Sequence, residues 1–233
     1  MQHVVLDQWA RGSSAVHRFD PRAKLVAMAA LLIAVATAQR RVPLFACEVL
    51  LFLMAGFAWA RLPVARALWR AAVVLPFAAT FAAVLWLSGQ AERGLLLAFK
   101  SYLSALAVLL VVATTPAPSL LGGLETLGAP PFLLQVAQFL YRYLFLLSEE
   151  AQRMSQATAA RGIVGIPDRF RAAAGALAVL FARSYVRAER IHRAMLARGF
   201  AGRFPAMNKS RFRSADALFL VLASAVPWGL RLL

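Results

Sequence analysis

The chain has 233 residues, 61% of them hydrophobic and 15% charged, with a mean hydropathy of +0.68. Soluble domains carry about a quarter charged residues, so this composition excludes an ordinary soluble protein and indicates an integral membrane protein. The net charge of +16, from 26 Lys and Arg against 10 Asp and Glu, fits the basic cytoplasmic segments of such proteins; no aromatic-studded basic platform is visible, and no nucleic-acid partner is expected.

The N-terminal "MQHVVLDQWARGSS" has no apolar core followed by a small-residue cleavage site, so no removable signal peptide is expected. In "HRFDPRAKL", His17 to Leu25, Asp20 reads as a helix N-cap and Pro21 as the first helical residue, with Arg22 and Lys24 at headgroup level. The first apolar span runs from about Leu25 to Ala38 and stops at "QRR", so its helix borrows turns from "PRAK". The second runs from Pro43 to Ala60, the third from about Ala71 to Ser88, the fourth from Leu95 to Ala113 and the fifth from Ala215 to Leu233. Each approaches the ~20 residues that an α-helix needs to cross hydrocarbon. Leu, Ala, Val and Phe supply most of the apolar content, which favours helices over the alternating strands of a barrel.

Charge sets the expected orientation. Arg11, Arg18, Arg22 and Lys24 precede the first span, Arg61, Arg66 and Arg70 fall in the second connection, and fourteen more cations lie between Arg142 and Arg213. The opposite side holds Arg40, Arg41, Arg93 beside Glu92, and Arg231. The positive-inside rule therefore puts the N-terminus and the long interval in the cytoplasm and the C-terminus outside, which five crossings satisfy.

That interval opens with "TTPAPSLLGGLETLGAPP", whose Pro and Gly mark turns and short helices. Phe132 to Gly162 then runs without Pro or internal Gly, a helix of ~45 Å. A sixth crossing over 132–147 is its rival reading; Gln135, Gln138 and Arg142 would be costly at mid-bilayer, which favours a helix in or under the cytoplasmic interface. Pro167 forces a turn, with Asp168 as an expected cap, and a second long helix covers about Asp168 to Arg198. The expected division is therefore an N-terminal membrane part, 1–113, a cytoplasmic part with two long helices, 114–213, and a C-terminal membrane helix, 214–233.

Both long helices end in Ala-Arg-Gly: Ala160, Arg161 and Gly162, then Ala197, Arg198 and Gly199. At a shift of 37 residues, Ala151 aligns with Ala188, Arg153 with Arg190 and Ala157 with Ala194. Each Gly falls where a helix closes through a left-handed residue, and each Arg suits the negative end of the macrodipole. Plain helix termination therefore explains either copy. Two copies leave a second reading open beside it, in which a small residue lets the tip enter a groove and the guanidinium meets a carboxylate.

No chemistry of the chain's own is apparent. Cys47 is the only cysteine, and His3, His17 and His192 are scattered, so no metal cluster is expected. There is no "GxxxxGK[ST]" sequence and no paired catalytic carboxylates or Ser-His arrangement. A membrane-embedded enzyme would have to use Glu48, Lys100 or His17, although Lys100 lies near a helix end where its ammonium can snorkel. A stand-alone transporter would be expected to show two-half symmetry, which the spans lack.

Taken together, "HRFDPRAKL", the two Ala-Arg-Gly ends, "AERIHRAMLARGF" and the basic stretch through "AGRFP" resemble the transmembrane T component of energy-coupling-factor transporters, the EcfT/CbiQ family, and most of all its CbiQ type, which serves cobalt uptake. The resemblance implies an all-α polytopic protein with about five transmembrane helices and two long cytoplasmic coupling helices, in the bacterial inner membrane. It implies two ABC-type ATPase subunits and a substrate-binding S component, a cobalt-binding membrane subunit, as partners, with the lipid bilayer around the membrane part. ATP and magnesium would sit on the ATPases, with no catalytic residue, cofactor or metal in this chain. The two Ala-Arg-Gly tips would dock the ATPases, each arginine pairing with an acidic residue. Ala157, Ala159, Ala172, Ala173, Ala174, Gly175 and Ala178 would let the coupling helices cross closely or slide on the S component. Nickel or a vitamin remains open as the cargo.

Overall fold

The computed structural model describes residues 9–10, 12, 14–38, 42–162, 165–202 and 213–232, and every regular element among them is helical. The chain forms two compact units, one of Met1–Gly128 with Asn208–Leu233 and one of Ala129–Met207.

The first unit begins with a single turn, α1 (Ala15–Arg18). Helix α2 (Pro21–Thr37) starts as the sequence indicates: the Asp20 carboxylate accepts the Arg22 N–H at 2.9 Å, and Pro21 fills the first helical position. Helix α3 (Val42–Trp59) follows. Helix α4 (Val64–Ala71), a 3-10 turn over Ala72–Val74 and α5 (Leu75–Leu87) then make one continuous stretch of 24 residues. Pro76 has no N–H to give the Ala72 carbonyl, so the Leu75 N–H takes it one residue early.

This stretch starts seven residues before the expected Ala71. Arg66 and Arg70 therefore ride on a helix rather than in a connection, their guanidiniums 5.8 and 4.3 Å from the centroid of the Trp9 ring. Helix α6 (Ala91–Thr114) returns against α5. A β-carbon on Gly94 would stand 2.8 Å from the Ala82 carbonyl oxygen, so only glycine allows these two backbones to meet.

Leu31 and Val35 of α2, Val49, Leu53 and Phe57 of α3, and Leu103 and Leu106 of α6 form the core. Much of the remaining apolar surface faces outward. In the most apolar windows of Val64–Leu87 and Ala91–Thr114, 11% and 22% of residues are buried, and Trp69, Phe77, Trp86 and Leu87 are exposed. A soluble protein rarely exposes so large an apolar surface; hydrocarbon is the solvent that accepts it. Both stretches are long and apolar enough to cross a bilayer, while Phe45–Trp59 and Ser214–Ala225 are shorter apolar helices.

Polar ties gather the helix ends at one side of this unit. Lys24, 2% exposed, does not reach toward headgroups; its ammonium donates to the Thr114 carbonyl at 3.1 Å and the Thr115 hydroxyl at 3.0 Å, joining the start of α2 to the end of α6. Asp216, in the first turn of α10 (Ser214–Leu232), accepts the Asp20 N–H at 2.9 Å and the Arg213 N–H at 2.8 Å. Phe19 meets Trp59, at the end of α3, edge-on at 6.1 Å. Helix α7 (Ala117–Thr126) packs here too, the β-carbon direction of Gly123 lying 3.2 Å from Pro21. The starts of α2 and α10 and the ends of α3 and α6 thus share one side. At the other, the Lys100 ammonium donates to the Ala36 and Ala38 carbonyls at 3.2 and 2.6 Å, capping the end of α2 where snorkelling was expected.

The second unit is a helical hairpin of α8 (Pro131–Ala160, 30 residues) and α9 (Ile166–Ala197, 32 residues). Gly165, not Asp168, is the N-cap of α9; Pro167 and Asp168 sit inside its first turn, with the Asp168 carboxylate 4.0 Å from Arg171. The helices run antiparallel. Gln135 donates to the Gly202 carbonyl at 3.3 Å, Glu150 faces Arg183, and Gly162 and Arg169 share a groove.

Candidate functional site

Arg161 and Arg198 occupy equivalent positions, each the C-cap of a long helix with backbone angles near −80°, 2° and −93°, 11°. Gly162 and Gly199 follow at φ 70° and 78°, the left-handed conformation that closes a helix without steric cost only in glycine. The Gly162 N–H bonds the Ala159 carbonyl, and the Gly199 N–H the Leu196 carbonyl. In the second copy the Phe200 N–H also reaches the Met195 carbonyl at 3.0 Å, completing a Schellman closure. Ala160, Arg161, Gly162, Ala197, Arg198 and Gly199 are all exposed. Neither guanidinium makes an ion pair among the described residues, so both present a full charge and an open fork of donors.

The antiparallel pairing puts the two tips at opposite ends of the hairpin. Arg161 lies at the turn into α9, and Arg198 at the far end of α9. A 32-residue helix is ~48 Å long, so no single small groove receives both.

Glu150 ties the two rods at mid-length, its carboxylate 3.0 Å from Arg183 and 3.9 Å from Arg187. Sequence reasoning missed this residue. The available signal was a carboxylate in a strongly basic stretch opposite two arginines spaced i, i+4, which share one helix face.

Nearer the turn, a groove of about 570 Å³ opens between the rods. Of the small residues singled out by sequence, Ala159, Gly162, Ala172 and Ala173 line it, joined by Met154, Thr158 and Leu177, which were not foreseen. Ala157, Ala174, Gly175 and Ala178 lie on exposed surface outside its wall. A β-carbon on Gly175 would meet nothing within 4 Å. At these four positions the small side chains border open space and not the groove between the rods.

The residues an enzyme would need are separated. His17, on α1, is held by the Ser14 hydroxyl at 2.6 Å and the Trp9 carbonyl at 2.9 Å, whereas Lys100 caps the far end of α2. Glu48 and Cys47 are exposed on α3. Among the described residues no three metal-ligating side chains cluster.

The profile of the CbiQ family, described as cobalt transport protein, matches residues 12–209. A cobalt transport protein CbiQ of Rhodobacter capsulatus is 33% identical over 71% of this chain and 72% of its own length. Energy-coupling factor transporter transmembrane proteins EcfT of Bacillus selenitireducens and Acidaminococcus fermentans are each 28% identical, covering 96% and 97% of this chain and 96% and 98% of their own. The chain thus belongs to the CbiQ/EcfT family, the membrane components of energy-coupling factor transporters.

Proposed function

We propose that this chain is the T component of an ATP-driven energy-coupling-factor importer for cobalt, transmitting ATPase motion to a separate substrate-binding membrane subunit. The observation that carries the reading is the pair of exposed arginines, without an ion pair among the described residues, closing two long helices in the same backbone geometry. Each guanidinium enters a groove on one ATPase and pairs with a carboxylate there, and the preceding alanine keeps the tip narrow. The separation of the tips along α9 favours two ATPase subunits over one. Closure of the nucleotide-loaded ATPases moves both tips, and the rods carry that motion to the S component. ATP and magnesium belong to the ATPases; this chain supplies no cofactor and no catalytic group.

The membrane part has five crossings in this reading: α2, α3, the continuous α4–α5 stretch, α6 and α10. They lie in the bacterial inner membrane, with residues 114–213 as the cytoplasmic coupling part and Phe132 to Leu147 at the interface rather than across the bilayer. Arg18, Arg22, Arg61, Arg66, Arg70 and Arg213 lie near the helix ends tied by Lys24 and Asp216, which supports a cytoplasmic assignment for that side. The exposed small surface of Ala157, Ala174, Gly175 and Ala178, with the groove of Ala159, Ala172 and Ala173, receives the S component.

The test is co-purification with the candidate ATPases. Breaking one charge-assisted interface pair costs about 2–5 kcal/mol, so Arg161→Glu or Arg198→Glu alone weakens association, and the double variant abolishes it. Undiminished association of the double variant refutes the coupling role.

A further inference from the structure

The first unit holds a second concentration of positive charge, away from the rod tips. A cavity of about 410 Å³ opens between α1, the end of α3 and the start of α10, with Arg18, Arg61, Arg213, Phe19, Trp59 and Asp216 in its wall. None of the three arginines makes an ion pair among the described residues. The one carboxylate in that wall, Asp216, is 4% exposed and already accepts two backbone N–H groups, those of Asp20 and Arg213. Among the described residues, three guanidiniums therefore share one mouth with a single, buried carboxylate, and the wall is net positive.

Arg61 is also held in an unusual backbone state. Its φ of 55° makes it the one non-glycine residue with positive φ among those described. It closes α3 in the position that normally takes glycine, its N–H bonding the Ala58 carbonyl and the Leu62 N–H the Phe57 carbonyl. A β-carbon is disfavoured there, so local folding alone argues for glycine. Such strain tends to be kept where the side chain is needed.

The surroundings select among anions. Phe19 stacks on Phe219 at 4.6 Å and meets Trp59 edge-on, giving the cavity an aromatic floor. Trp59 is 56% exposed, as is usual at headgroup depth. From the mouth, two exposed apolar stripes run along the helices at i±3 and i±4 spacing: Ala215, Leu218 and Leu222 on α10, and Trp59, Ala55 and Leu51 on α3. A free phosphate needs the charges but has no use for these tracks; a lipid uses both.

We propose that this cavity binds the headgroup phosphate of an anionic phospholipid, with Arg18, Arg61 and Arg213 as its donors and the acyl chains laid along the α3 and α10 stripes. Guanidinium forks suit phosphate oxygens, and three arginines against one carboxylate favour a net-negative headgroup over a zwitterionic one. The site rests on the membrane placement of the unit alone, so it stands or falls independently of the ATPase coupling.

The full chain in mild detergent, offered equal amounts of phosphatidylglycerol and phosphatidylcholine, is read by native mass spectrometry for bound lipid. The expected result is preferential retention of phosphatidylglycerol, lowered about fivefold by each of Arg18→Gln, Arg61→Gln and Arg213→Gln. Arg61→Gly is the control for folding: it installs the residue that the left-handed position prefers, so the chain stays folded while the preference falls as in Arg61→Gln. Inorganic phosphate is expected not to displace the lipid. Equal retention of the two lipids, an unchanged preference in the variants, or displacement by inorganic phosphate overturns the proposal.

Discussion

Lys24 offers the sharpest test of how the first unit is held together. The residue is 2% exposed, and its ammonium makes two bonds of ordinary length, to the Thr114 carbonyl at 3.1 Å and the Thr115 hydroxyl at 3.0 Å, with a longer one to the His17 carbonyl at 3.5 Å. Lys24→Met keeps the aliphatic stem and removes the donor. Each hydrogen bond from a charged donor contributes about 1.5–3 kcal/mol, and Thr114 ends α6, so its carbonyl has no helical partner to fall back on. Removing the ammonium also relieves its desolvation, which offsets part of the loss. The net cost is about 3 kcal/mol. For a chain of this size that lowers Tm by roughly 6–12 °C, followed by tryptophan fluorescence of the purified chain in detergent. The Asp216 charge acts on the same ammonium, so Lys24→Met and Asp216→Asn together cost less than the sum of their separate effects. An unchanged or raised Tm in Lys24→Met refutes the claim that this tie holds the helix ends together.

Three further outcomes follow from the geometry. Gly94→Val drives a side chain into the Ala82 backbone, where even a β-carbon stands at 2.8 Å; the overpacking costs about 1–3 kcal/mol and is read as a lower Tm in detergent. Gly199→Ala puts a β-carbon at φ 78°, costing about 1–2 kcal/mol, and is read as faster hydrogen exchange over the last turn of α9, with Asn at the same position milder. Ala173→Trp fills the groove between the rods and is expected to reduce uptake while the complex still assembles; normal uptake removes the sliding role of the small residues.

The helices were largely legible because each hydrophobic run has clear stops. The Asp20–Pro21 start of α2 and the glycines closing α8 and α9 are local chemistry, and local chemistry is written in the sequence. The start of α4 was not legible in that way. Arg66 and Arg70 interrupt the apolar pattern and read as a connection, yet a helix carries them because Trp9, distant in sequence, covers their guanidiniums. The fates of Lys24 and Lys100 were equally hidden. Both stand near span ends, where snorkelling is the cheapest reading, but both turn inward to carbonyls at the ends of helices. Which orphan carbonyl lies within reach is a tertiary fact. Among the candidate site residues, the arginine tips are terminal features and so were readable, whereas Glu150 and the groove beside Gly162 depend on how α8 and α9 pair. The expected positions of Arg40 and Arg41, and of "AGRFP" beyond Gly202, lie outside the described residues.

The central claim is that the two rod tips touch ATPases, and site-specific cross-linking measures this contact directly while leaving both arginines in place. A photoreactive residue at Ala160 or at Ala197, both exposed, is activated in membranes containing the whole transporter, with Ala91, exposed at the start of α6, as the reference position. The account expects one ATPase adduct from each tip position and none from Ala91. No adduct from either tip, or equal adducts from Ala91, contradicts it.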